Sequence, residues 1–127
     1  MKSIKQTYEI NASVDKVWDA LVNPNTIEKW GGGPVKMSEK QGFEFELWGG
    51  DIYGRNKDVI KNKKLVQEWF SGKWEKPSIV TFLLTSLDNK TKVELIHTDI
   101  PDNEANDIEK GWKDYYMIPL KQLVESS

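Results

Sequence analysis

The sequence predicts an α+β fold: a curved seven-stranded antiparallel sheet, two short helices and a long C-terminal helix, in the order β-α-α-β6-α, as one domain over residues 1–127. Three observations predict it. The apolar period is helical from Ser13 to Trp30 and changes to two after Pro34. Short alternating segments then follow one another as far as Ile100, separated by turn-forming clusters. The last segment, "GWKDYYMIPLKQLV" from Gly111 to Val124, returns to helical spacing while carrying a glycine, three large aromatics and a proline.

Taken in order, "SIKQTYEI" alternates with Ile4, Tyr8 and Ile10 on one face and reads as a strand. In "NASVDKVWDALVN", Ser13 is placed to cap a helix, Asp15 sits in its first turn, and Val14, Val17, Trp18 and Leu21 recur at helical spacing. Pro24 ends that helix, and "NPNTIEKW" forms a second short one with Asn23 or Asn25 near its start, closed by "GGG". "VKMSEK" is the next predicted strand. "FEFELW" follows, with Phe43, Phe45 and Leu47 facing one way and Glu44 and Glu46 the other. "IYGRNKDVI", "LVQEWFSGKW", "SIVTFLLTSL" and "TKVELIHTDI" complete six consecutive strands joined as hairpins by "GGD", "KNKK", "EKP" and "DNK". The final helix opens at "PDNEANDIEKGW", with Asp102 or Asn103 as cap and Glu104, Asp107 and Glu109 suited to the positive end of its dipole. Its predicted inward stripe is Ile108, Trp112, Tyr115, Pro119 and Leu123, flanked by Tyr116 and Leu120.

Composition narrows the function classes. Charged residues make up 30% and the formal net charge is -2, so no basic surplus points to nucleic acid. The chain has no cysteine, which excludes disulfides, thiolate metal sites and cysteine nucleophiles. The N-terminus lacks the apolar core of a secretory signal, and the longest apolar run, "IVTFLLT", is too short to span a bilayer. A cytoplasmic location without membrane insertion is the resulting expectation. Six tryptophans, four tyrosines and four phenylalanines are the distinctive feature. Such side chains favour cores, pockets and interfaces. One helix of about twenty residues is about 30 Å long and cannot fill the whole concavity of a curved sheet. The expectation is an apolar pocket between sheet and C-terminal helix, with Trp112, Tyr115 and Tyr116 reaching into it and Pro119 bending the helix. The competing reading, that the aromatics fill this space themselves, stays open.

The motifs "VWDALVNPNTIEKW", "GFEFELWGGDIYGRN", "KKLVQEWFSGKW", "VTFLL", "ELIHTDIP" and "GWKDYYMIPLKQL" together cover nearly the whole chain. On these the chain resembles the START-like, helix-grip superfamily (also called SRPBCC or Bet v 1-like), and within it the Aha family, the homologues of the activator of heat-shock-protein-90 ATPase. The superfamily includes lipid and hormone binders, polyketide aromatase/cyclases and co-chaperones. In the eukaryotic activator the similar region is the C-terminal half of a two-domain protein. The family's strand-ending Trp-Arg pair is Trp69-Phe70 here, so that guanidinium is missing.

The resemblance and the aromatic count lead to three readings of function. The first is a non-catalytic binder of a small hydrophobic molecule, in a pocket lined by Trp30, Phe45, Leu47, Trp69, Phe82, His97, Trp112 and Tyr116. The second is a co-chaperone-like interaction module with a chaperone as partner, the chain being a monomer or weak dimer. The third is a cyclase- or hydrolase-type enzyme. No cofactor, metal ligand set or catalytic residue is assigned. His97, the only histidine, follows Val93 and Leu95 on one strand face and is either a satisfied core group or a general base. Asp51, Arg55 and Asp58 read as a solvated ion-pair surface, "GGGP" as a turn and "KNKK" as a solubilising hairpin tip. Gly54 marks crowding or a bulge. Trp69 is assigned to the inner face, and Trp74 to the outside or the strand end, where it would mark a partner surface. The Tyr115 and Tyr116 hydroxyls are candidates to orient a ligand carbonyl or carboxylate.

Overall fold

Alternating side chains produce a sheet with one buried face. In the computed structural model, which describes residues 1–126, six strands form one antiparallel sheet in the order β1-β6-β5-β4-β3-β2. They are β1 (Lys2–Ile10), β2 (Glu44–Leu47), β3 (Ile52–Ile60), β4 (Lys64–Ser71), β5 (Ser78–Leu87) and β6 (Lys90–Ile100). Strands β2 to β6 pair in sequence order, as their short turns require, and β1 joins beyond β6 with Ile10 opposite Thr91. Alternation then delivers Leu65, Gln67 and Trp69 of β4, Val80, Phe82 and Leu84 of β5, and Val93, Leu95 and His97 of β6 to the same buried face.

The sheet has six strands and not the predicted seven. "VKMSEK" contributes a single bridge, Lys36 with Glu46. The reason lies in Asn56 of β3, opposite Gln67, which continues the inward alternation from Gly54 just before a bulge between Asn56 and Asp58 and buries its side chain. Asn56 Nδ2 donates to the carbonyls of Ser38 and Lys40 at 2.7 and 3.0 Å. The segment after Lys36 therefore satisfies its backbone on this side chain and not on a ladder.

Helix α1 (Val14–Val22) buries Val17, Trp18 and Leu21, and α2 (Pro24–Trp30) buries Ile27 and Trp30. Pro24 does not only end α1; it occupies the first turn of α2, where its missing N–H costs nothing. Asn23 caps α2 through its side chain, whereas Ser13 makes no side-chain cap bond to α1. Trp30 Nε1 donates to the Ala20 carbonyl at 2.9 Å and locks the two helices together.

The C-terminal helix is composite. A 3-10 turn (Asp102–Glu104) leads into α3 (Ala105–Gly111), a π-helical stretch (Trp112–Met117) and α4 (Ile118–Glu125). Neither Asp102 nor Asn103 caps it: the residue preceding the 3-10 turn is Pro101 and no side-chain cap bond forms, while Asp102 pairs with the N-terminal ammonium at 2.8 Å. The Pro119 ring would crowd the carbonyl four residues back, at Tyr115, and supplies no donor there; the wider π turn accommodates both effects. It also changes the phase. A 3.6-residue period from Trp112 selects Tyr115, Pro119 and Leu123, but the buried residues beyond Trp112 are Tyr116, Leu120 and Val124, four apart, with Met117 beside them. Tyr115 is consequently 69% exposed and does not reach into the core. No helix among the described residues is long and apolar enough to cross a membrane.

Candidate functional site

The space between sheet and C-terminal helix is occupied by the protein's own rings. Trp112 stacks on Trp69 with centroids 4.6 Å apart and lies 4.7 Å from Tyr116. Tyr116 in turn meets Trp30 at 4.6 Å and Phe82 at 5.8 Å. The eight residues expected to line a pocket, Trp30, Phe45, Leu47, Trp69, Phe82, His97, Trp112 and Tyr116, are all packed into this core. Trp69, Trp112 and Tyr116 also border a cleft beside the C-terminal helix, while Phe45 borders a separate surface pocket with Glu44, Tyr53 and Gly54. Every indole N–H is committed. Trp18 donates to Glu39 Oε1, Trp48 to the Gly31 carbonyl and Trp74 to Glu104 Oε2. Trp69 donates to Gln67 Oε1 and Trp112 to His97 Nδ1, which with Trp30 accounts for all six. The tryptophans thus act as anchors between elements. Trp74 lies beyond the end of β4, as expected for the strand-end reading, and ties that turn to the start of the C-terminal helix.

His97 is a satisfied core group. Its Nδ1 accepts from Trp112 at 2.9 Å, so the proton resides on Nε2, which faces Ser78 Oγ at 2.7 Å. Ser78 Oγ donates onward to the Trp69 carbonyl at 3.1 Å. Neither ring nitrogen is available to take a substrate proton, so this geometry gives no support to a general-base role. Desolvation lowers the His97 pKa from 6.5 to about 4. In the unfolded chain the imidazole takes up a proton as pH falls through 6.5; in the fold it stays neutral until pH 4 is approached. The stabilising difference is complete above pH 6.5 and is lost as pH falls toward 4. Between pH 7 and pH 5 this removes about 2 kcal/mol from the unfolding free energy. Urea melts across that range are expected to show the slope, and His97→Gln to flatten it, since the chain has no other histidine.

A second buried polar chain escaped the sequence reading. Trp69 Nε1 donates to Gln67 Oε1 at 2.8 Å, and Gln67 Nε2 donates to Asn56 Oδ1 at 3.0 Å. The signal was present, because Gln67 falls between Leu65 and Trp69 on the inward register of β4. Asp51, Arg55 and Asp58 form no acid/base set: Arg55 pairs with Glu68 and Asp58 with Lys64, all on the solvated face.

The opening that remains is a cleft of about 420 Å³ at one end of the helix. Trp48, Asp51 and Ile52 form one wall, from the β2–β3 turn and the start of β3, and Trp69 and Ser71 at the end of β4 form its floor. The opposite wall is the helix surface from Asp107 through Trp112 to Tyr115 and Tyr116. It is an open, aromatic cleft and not the enclosed chamber expected from sequence. Tyr116 is 1% exposed, yet its hydroxyl has no protein partner among the described residues. Nor is that oxygen sealed in: among the described residues, the sealed and unpaired side-chain polar atom is Asn62 Oδ1. Burial raises the Tyr116 pKa, so the hydroxyl is a neutral donor. Trp48, Asp51, Ile52, Ser71, Asp107, Ile108 and Gly111 join the site only through tertiary structure.

Comparison with known proteins agrees with this architecture. Residues 11–125 match the family model "Activator of Hsp90 ATPase homolog 1-like protein". An activator of 90 kDa heat shock protein ATPase homolog from Dictyostelium discoideum is 34% identical over 99% of this chain and 34% of its own length. The chain thus spans about a third of the length of the curated relatives it matches. Among solved structures, an HSP90 activator from Plasmodium falciparum superposes with a TM-score of 0.89 at 23% identity, over 97% of this chain and 96% of that one. The Aha1 dimer from Colwellia psychrerythraea gives a TM-score of 0.83 at 22% identity, over 98% and 97%. At these identities the two structures establish likeness of fold.

Proposed function

The chain belongs to the Activator of Hsp90 ATPase homolog 1-like family, and from that premise we propose that it works as a co-chaperone-type interaction module that engages the 90 kDa heat shock protein. The observation that carries this reading is the match to an activator homologue over 99% of the chain. The filled interior agrees with it, because a core closed by its own aromatics leaves the outer surface as the place for recognition. The test is direct. Adding the purified chain to the chaperone is expected to give a saturable complex and a faster ATPase rate. An unchanged rate together with no complex by sedimentation would discard the reading.

A second reading, a small apolar ligand bound without catalysis, rests on the cleft. Its volume lies within the range of small-molecule sites, about 300–1,000 Å³, and its lining is predominantly aromatic and apolar. The two readings are compatible, since the cleft occupies only one end of the helix.

A further inference from the structure

We propose that the cleft between the β2–β3 turn and the C-terminal helix is a binding site for a small organic cation with an apolar body, of the alkylated-ammonium class. The proposal rests on the second reading above and assigns it a ligand class.

The charge pattern selects the class. Asp51 on one wall and Asp107 on the other flank the opening, and no lysine or arginine borders it. Neither carboxylate has an ion pair or hydrogen bond among the described residues. On the solvated sheet face, by comparison, Asp58 and Glu68 each meet a cation. Between the two carboxylates the lining is aromatic, the exposed Tyr115 and half-buried Trp48 standing in front of the buried Trp69–Trp112 stack. Ring faces are negative and attract cations, most strongly those that shed water easily, as alkylated ammonium groups do. A carboxylate ligand would meet like charge on both sides. A neutral apolar ligand would shield Asp51 and Asp107 from water and offer nothing in return. An ammonium head between the carboxylates, with its alkyl body against the indoles, satisfies both parts of the surface.

Tyr116 supplies the independent sign of a ligand. It is almost completely buried, lines this cleft, and keeps a hydroxyl that no protein group bonds. Buried polar groups normally find partners within the fold. Tyr116 borders the cleft, and a water or a polar atom of a bound molecule could supply the partner its hydroxyl lacks.

Trp48, Trp69 and Trp112 make the site its own reporter. Tryptophan fluorescence titrated with hexyltrimethylammonium, hexan-1-ol and hexanoate separates the contributions of charge and chain. The ammonium is expected to bind saturably and about tenfold more tightly than the alcohol, with hexanoate weakest. The double variant Asp51→Asn/Asp107→Asn is expected to reduce ammonium affinity to the level of the alcohol while leaving the alcohol unchanged. Both positions are exposed, so folding should be preserved, and thermal melts check this. Asp88→Asn, at the β5–β6 turn and outside the cleft, removes a negative charge as a control and is expected to change nothing. The proposal is overturned by equal or tighter binding of the alcohol or hexanoate, by a double variant that keeps its preference for the cation, or by no saturable ammonium binding. The chaperone assay contains no organic cation, so failure here leaves that reading intact.

Discussion

Replacing Trp112 with alanine is expected to lower the unfolding free energy by about 4 kcal/mol. The indole is 3% exposed and is the hub of the ring cluster, stacked on Trp69 at 4.6 Å, edge-on to Phe82 at 5.7 Å and tilted against Tyr116 at 4.7 Å. Alanine leaves a cavity where three rings converge and deprives His97 Nδ1 of its donor. The two losses can be separated in part. Trp112→Phe keeps a ring in place but loses the N–H and part of the indole volume, so its cost should lie between that of an unsatisfied buried acceptor, about 1–2 kcal/mol, and that of the alanine variant. Urea denaturation should show both as shifts in midpoint at constant slope. A loss under about 1 kcal/mol for the alanine variant would mean that the helix does not rest on this indole.

Gly54→Ala is expected to cost about 3 kcal/mol or more. Gly54 lies in the middle of β3, opposite Phe45 of β2 and Trp69 of β4. A Cβ at this position would come 1.7 Å from the Glu68 carbonyl oxygen and 3.3 Å from the Phe45 ring. The first neighbour is backbone and cannot rotate away. Relief requires β3 and β4 to separate where Trp69 is held, which also disturbs the floor of the cleft. Thermal denaturation and fluorescence titration of the same variant should therefore both change. A stable Gly54→Ala protein with an unaltered melt would show that the strands are not held as close as described. Sequence alone left Gly54 as either a crowded point or a bulge; the crowding is real, and the bulge lies two residues further on, between Asn56 and Asp58.

The local rules of the chain determined most of the fold by themselves. Alternation placed β3 and β5 at Ile52–Ile60 and Ser78–Leu87, and helical spacing with Asn23, Pro24 and Gly31 placed α1 and α2. Period and turn chemistry act over a few residues, so they are legible without neighbours. Tertiary structure alone decided the rest. Whether "VKMSEK" pairs as a strand depended on Asn56, a side chain sixteen to eighteen residues away, capturing its carbonyls. Whether Tyr115 or Tyr116 turned inward depended on a π turn upstream of Pro119, since one extra residue in a helix rotates everything after it. Whether the aromatics enclosed a chamber or filled it was a question of volume between facing elements, which no one-dimensional pattern contains. The cleft joins the β2–β3 turn, the end of β4 and the C-terminal helix, of which the first and last lie more than fifty residues apart in the chain, and exists only because the sheet order brings them together.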